Sequence, residues 1–159
     1  MTRKYTPKTH PVIAIDFDGT IVKDDFPEVG KPFKHSIETI NDMLKDGYEI
    51  IIWTARSGIN LHNAKMLLRK EGLNITHKNL TFNDHSRYML SKYDSRSSKV
   101  GASVYIDDKG YGAPKSFANY WSILHGEFLG SYYFSDVLKK SIEDIRELND
   151  YLDNLENKN

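Results

Sequence analysis

The chain has 159 residues, 22 basic against 22 acidic, and no cysteine. That length suits one domain with a full core, able to bury roughly 70% of the surface its unfolded chain exposes. Zero net charge argues against a bulk basic field for nucleic acid or anionic membranes, and the lack of thiols removes disulfides, thiol nucleophiles and thiolate metal sites together.

The amino end, Met1-Thr2-Arg3-Lys4-Tyr5, has no apolar segment like that of a secretion signal. No apolar run approaches the ~20 residues of a membrane span. A soluble, cytoplasmic protein with no membrane partner is expected. Residues 1–10 read as a polar, basic arm. A first strand over about residues 11–16 carries Val12-Ile13-Ala14-Ile15 straight into Asp16-Phe17-Asp18-Gly19-Thr20. An unbroken apolar run suits a parallel strand covered on both faces. Ligands of open α/β sheets bind just beyond the carboxyl ends of such strands, where Asp16 and Asp18 fall. Gly19 lets the chain turn sharply there.

Residues 20–33 hold Pro27, Gly30 and Pro32 among mixed charges and predict a loop or small hairpin. A helix follows over 34–46, with Ile37, Ile40 and Leu44 on one face and Gly47 past its last turn. The second strand, 49–53, ends in Thr54-Ala55-Arg56. A second helix spans 59–71, with Leu61, Ala64, Leu67 and Leu68 inward and Gly72 as its stop. A third strand falls within 74–82. Residues 83–99 are polar and irregular, with a short helix around residues 88–90. The fourth strand, 103–106, runs into Asp107-Asp108 and a glycine-rich turn, Lys109-Gly110-Tyr111-Gly112. A helix over 116–128 would bury Phe117, Trp121 and Leu124.

Beyond about residue 130, Leu138, Ile142, Ile145, Leu148, Leu152 and Leu155 recur at spacings of three and four. That stripe predicts an amphipathic helix over about 130–156, packed on the body or paired with a second copy in a homo-oligomer. The expected fold is a three-layer, Rossmann-like α/β domain: a parallel sheet flanked by helices, with an added C-terminal amphipathic helix. One domain, 1–159, has its core over about 11–126. The six histidines show no metal-ligand spacing and read as surface or loop residues.

Three apolar strands thus end in Asp16, Thr54 and Asp107, and a parallel sheet brings those ends to one edge. Each motif alone has an ordinary explanation. Asp-x-Asp and Asp-Asp are common in solvated turns, and a threonine after a strand often caps a helix. Their joint occurrence, in this order, at the ends of apolar strands, is what needs explaining. Asp16-Phe17-Asp18-Gly19-Thr20 resembles the first motif of the haloacid dehalogenase-like (HAD) superfamily. Trp53-Thr54-Ala55-Arg56 and Val104-Tyr105-Ile106-Asp107-Asp108-Lys109 resemble the second and fourth motifs of its small capless hydrolases from bacteria and phages. Arg56 is also similar to an arginine in the 3′-phosphatase domain of phage polynucleotide kinases. The resemblance covers about residues 11–126, and leaves no interval long enough for a cap domain. The family has a short flap where residues 20–33 lie.

The resemblance implies a Mg²⁺-dependent phosphatase. Asp16 would be the nucleophile, forming an acyl phosphate that divides one hard displacement into two easier ones. Asp18 would act as general acid and then base. Thr54 would bind a phosphoryl oxygen. An active-site lysine is implied too: Lys99 suits it best, with Lys92 and Lys109 as rivals. Asp16, the Asp18 carbonyl and Asp107 would hold Mg²⁺. Gly19, Thr20, Ala55, Arg56 and Asp108 would line the substrate. Four carboxylates at one edge repel, which independently favours a cation there.

Three functions are compatible with these residues. One is hydrolysis of a small phosphorylated metabolite or nucleotide. Another is removal of a 3′-phosphate from a nucleic-acid end, gripped by Arg56, Arg87, Arg96, Lys109 and Lys115. A third is a non-catalytic phosphate-binding or scaffold protein. Neither a Gly-x-Ser-x-Gly elbow nor a P-loop is present, so serine-hydrolase and P-loop kinase chemistry have no support.

Overall fold

The computed structural model describes residues 12–86, 90, 98–110, 113–114, 116–122, 124–125 and 154. In chain order the elements are β1 (Val12–Ile15), α1 (Ser36–Lys45), β2 (Glu49–Ile52), α2 (Gly58–Lys70), β3 (Leu80–Phe82), β4 (Val104–Ile106) and α3 (Phe117–Ser122). The four strands pair in the order β3-β2-β1-β4, every pair parallel. This is the α/β, Rossmann-like sheet expected from the apolar runs.

Register decides where the chemistry can occur. Ile15 at the end of β1 lies level with Ile52 of β2 and Ile106 of β4. The ladder continues one step further, with the Trp53 amide donating to the Ile15 carbonyl at 2.8 Å and the Asp16 amide to Ile106 at 2.9 Å. Asp16, Trp53 and Asp107 therefore emerge side by side at one sheet edge.

Alternation along the strands sorts the core into two faces. Ile13, Ile15, Ile50, Ile52 and Ile106 pack with Ile37, Ile40, Met43 and Leu44 of α1. Ala64 and Leu68 of α2 and Phe117, Tyr120 and Trp121 of α3 complete that cluster. On the other face, Val12, Ala14 and Ile51 meet Val100, with Ala102 beside them. Topology accounts for the split. The chain steps in one direction from β1 to β2 to β3, so two crossovers of one hand put α1 and α2 on the same face. The return across the sheet to β4 brings 98–102 over the other.

β3 is shorter than the 74–82 window allowed. The amides of His77 and Leu80 donate to the carbonyls of Asn74 and His77, at 3.1 Å each, and wind this polar stretch into turns before pairing begins. Of the helix expected over 116–128, α3 covers Phe117–Ser122 and residues 124–125 are π-helical, while residues 123 and 126–128 lie outside the described residues. Phe117, Trp121 and Leu124 are buried as expected. In α2, Ala64 and Leu68 are buried, while Leu61 and Leu67 are half-buried.

Between β1 and α1 the chain forms a small flap. Val22 bridges Pro32 antiparallel, and the Lys23 amide donates to the Lys31 carbonyl at 2.9 Å. The Phe26–Pro27 peptide within it is cis. The arm 1–10, Arg87, Lys92, Arg96, Lys115 and, apart from the helical Asn154, the helix expected over 130–156 lie outside the described residues. No helix among the described residues is long and apolar enough to cross a membrane.

Candidate active site

Asp16 and the pair Asp107-Asp108 follow the level ends of β1 and β4. Carboxylate oxygens of Asp16, Asp107 and Asp108 all lie within 4.8 Å of one another. The Asp16 carboxyl is pushed up to about 7, first by burial, then by the charge of Asp107 and by its hydrogen bond with Asp108. Three hard oxygen donors this close suit Mg²⁺, which binds oxygen ligands and would remove the repulsion. Asp108, expected to line the substrate, is one of the three carboxylates of this cluster.

Thr20 ties the cluster together. Its hydroxyl donates to Asp16 Oδ2 at 3.1 Å and accepts from the Asp108 amide at 3.0 Å. Thr20, expected from the motif to line the substrate, is fully buried and turns its hydroxyl to the acids. Trp121 Nε1 donates to the Thr20 carbonyl at 2.6 Å, fastening α3 to the turn after β1. Gly19 has φ +83, and a Cβ there would run into the Asp108 carboxylate. Glycine is required here by backbone conformation and by space together.

Asp18 takes another partner. Arg56 Nε donates to Asp18 Oδ2 and Nη2 to Oδ1, each at 2.8 Å. Nη1 donates to the carbonyls of Pro27 at 3.1 Å and Asn60 at 3.4 Å, and Nη2 to Glu28 at 2.6 Å. These contacts use all five guanidinium donors. The Arg56 group also lies 5.4 Å from the Phe17 ring centroid and 5.1 Å from that of Phe26. At 2% exposure Arg56 is buried. Its hydrogen bonds to the Asp18 carboxylate favour the protonated guanidinium, outweighing burial. The expectation that Arg56 grips substrate is therefore corrected: a guanidinium enclosed by Asp18, the flap carbonyls and two rings has no donor left for phosphate.

Thr54 is half-buried at the edge reached by β2. Its amide donates to Asn83 Oδ1 at 2.8 Å, and its hydroxyl accepts from the Arg56 amide at 3.1 Å. Asn83 Nδ2 donates to the Arg56 carbonyl at 3.2 Å, so Asn83 brackets the Thr54–Arg56 turn from both sides. Ala55 is exposed on that turn. Lys99 is exposed in the bend before β4. Lys109 is also exposed, and its amide donates to Asp107 Oδ1 at 2.9 Å. The third candidate, Lys92, lies outside the described residues. Beside this edge, a cavity of about 450 Å³ is lined by Trp53, Asn83, His85 and Leu90, among others.

The pattern reading missed Asn83 and Trp121 as supports of the site. Asn83 takes φ 52, the left-handed region where asparagine is enriched, and no local periodicity marks such a role. Trp121 was recognisable as core, but its indole donor acts across 101 residues of chain.

No family model matches the chain, and no curated protein sequence is similar to it. Among solved structures, a conserved protein from Bacteroides thetaiotaomicron is similar, at 25% identity and a TM-score of 0.58. The match covers 81% of this chain and 98% of that one. It supports the parallel α/β fold over most of the chain.

Proposed function

We propose that this protein is a Mg²⁺-dependent phosphomonoester hydrolase of the HAD type, acting on a small phosphorylated metabolite or nucleotide. The observation that carries this reading is the grouping of Asp16, Asp107 and Asp108 at level strand ends, with Asp18 two residues from Asp16. Asp16, Asp107 and the Asp18 carbonyl would hold the cation, with Asp108 as a further oxygen donor. Mg²⁺ bound there would neutralise the carboxylates and the phosphate dianion, allowing the two to approach.

An Asp16 oxygen attacks phosphorus, and the bond to the ester oxygen breaks. Asp18 gives a proton to the departing alkoxide. Water then loses a proton to Asp18 and attacks the acyl phosphate, whose phosphorus–oxygen bond breaks to return the Asp16 carboxylate and release inorganic phosphate. In the resting arrangement both Asp18 oxygens accept from Arg56. Arg56 therefore orients Asp18, and one arm of the fork must yield when the carboxyl carries its proton. The Lys99 ammonium, our choice over Lys92 and Lys109, would offset charge on the transferred group.

The nucleic-acid reading loses Arg56, whose donors are all engaged inside the fold. A short phosphomonoester needs fewer cationic contacts than an oligonucleotide backbone, which favours the smaller substrate. A scaffold role would leave the raised Asp16 carboxyl without a use.

Turnover of a generic aryl phosphate tests the proposal. Activity with Mg²⁺, abolished by EDTA and by Asp16→Asn, is expected. Wild-type-like activity in Asp16→Asn would overturn it. A screen of phosphorylated metabolites against 3′-phosphorylated oligonucleotides then identifies the substrate class.

A further inference from the structure

A second group of ligand-type side chains lies at the start of α1, formed by His35, Glu38 and His125. His35 Nδ1 lies 3.0 Å from Glu38 Oε2, and His125 Nε2 lies 2.7 Å from the same oxygen. All three candidate ligand atoms fall within 4.8 Å of one another. The two imidazoles meet edge to face, with centroids 4.4 Å apart. His35 and Glu38 are three residues apart on one helical turn, while His125 arrives from the turn after α3, 87 residues from Glu38.

His35 occupies the N-cap position of α1 with φ 67, where its side chain caps no helical amide. Serine, threonine, aspartate or asparagine would cap better. The imidazole instead serves Glu38. The histidine faces are about 70% covered, while Glu38 is 64% exposed, so the group is walled on one side and open to solvent on the other.

The geometry points to a binding site for a borderline transition-metal dication such as Zn²⁺, held by His35 Nδ1, Glu38 and His125 Nε2 with solvent in the fourth position. Imidazole nitrogen selects such ions over Mg²⁺, which prefers oxygen. Zinc bonds of about 2.0–2.2 Å put neighbouring tetrahedral ligand atoms roughly 3.4 Å apart. Each imidazole thus needs to retreat from Glu38 by only a few tenths of an ångström to a little over half an ångström. The ion would replace the protons now shared with one carboxylate oxygen, and would tie the turn after α3 to the start of α1.

The surroundings argue for modest affinity. His125 Nδ1 is buried with no hydrogen-bond partner among the described residues. An outer acceptor there would strengthen the ligand, and lacking one costs metal sites about 10–100-fold. The positive end of α1 and the adjacent Lys34 also oppose a cation.

The test is calorimetric titration of the full chain, stripped by chelator, with ZnCl₂ in excess MgCl₂. One equivalent should bind in the micromolar range. Affinity should fall at least tenfold in His35→Asn, which tolerates the left-handed backbone, and in His125→Gln. Glu38→Gln, at an exposed position, should do the same without disturbing the core. Asp107→Asn should retain the event. Absence of zinc uptake by wild type, uptake unchanged in Glu38→Gln and the histidine variants, or loss only in Asp107→Asn would each overturn the assignment.

Discussion

Arg56 holds Asp18 in a two-armed fork, Nε to Oδ2 and Nη2 to Oδ1, each at 2.8 Å. The same guanidinium binds the flap carbonyls of Pro27 and Glu28. One buried side chain therefore holds both the proposed acid–base carboxyl and the flap between β1 and α1. Arginine suits this because its planar fork matches a carboxylate, whereas lysine offers a point charge.

Replacing Arg56 should consequently affect stability and rate together. Arg56→Ala leaves a largely buried Asp18 without its partner, expected to cost about 3–5 kcal/mol. Arg56→Lys should fold, yet lose about 10²-fold in kcat/KM through misplacement of Asp18. A double-mutant cycle with Asp18→Asn, read by urea unfolding, should recover part of the Arg56→Ala penalty. Additive effects would show that the fork contributes no coupling.

Asp18→Asn cannot exchange a proton. It should slow turnover by about 10²–10⁴-fold. With an activated aryl phosphate, whose leaving group needs little acid assistance, the acyl phosphate on Asp16 should accumulate. Acid quenching followed by mass spectrometry would detect one added phosphoryl group. A wild-type rate in this variant would remove Asp18 from the chemistry.

The raised Asp16 carboxyl predicts how metal-free stability varies with pH. Its ordinary value is 3.8 and its folded value about 7. Between these limits the folded form retains a proton that the unfolded chain has released. Raising pH through this window strips that proton and destabilises the fold. The Tm of the EDTA-treated protein should therefore fall across that range. Millimolar Mg²⁺ should raise it most at the upper end, because a ligand that binds only the folded state stabilises it. A Mg²⁺ shift that is larger at acid pH would contradict the proposed site.

Two glycines with positive φ provide an internal comparison. Gly58, at φ +53, has open space where a Cβ would point, whereas the same atom at Gly19 meets the Asp108 carboxylate. Gly58→Ala should cost about 1–2 kcal/mol, the backbone penalty alone. Gly19→Ala should cost more, and should also weaken Mg²⁺ binding by displacing Asp108. Equal losses in thermal unfolding would mean that Asp108 yields freely.

Trp121→Phe tests the tie from α3 to the site. It keeps most of the buried ring but leaves the Thr20 carbonyl without the indole donor. The expected cost is about 1–3 kcal/mol, with reduced Mg²⁺ affinity if Thr20 positions Asp16 and Asp108. Calorimetry of unfolding and of Mg²⁺ binding would measure both.

Much of this architecture was legible from residue order. Ile13 and Ile15, Ile50 and Ile52, and Ile106 announce buried strands, because continuous burial needs continuous apolar sequence. Each run ends in a polar residue, and parallel pairing leaves such ends together. Gly47 and Gly72 mark helix stops, and both have positive φ. The third strand was less legible, since turn-forming hydrogen bonds through His77 and Asn79 compete with pairing.

Sequence alone determined the parallel α/β sheet and the edge carrying Asp16 and Asp107, because periodicity and strand burial are properties of short stretches. Tertiary structure decided which partner each side chain takes. Arg56 could have faced a phosphate, yet the flap and Asp18 enclose it. His35 and His125 carried no spacing signal, and only the packing of α3 against α1 brings them to one carboxylate. Such contacts arise from distant segments meeting in three dimensions, which no local pattern records.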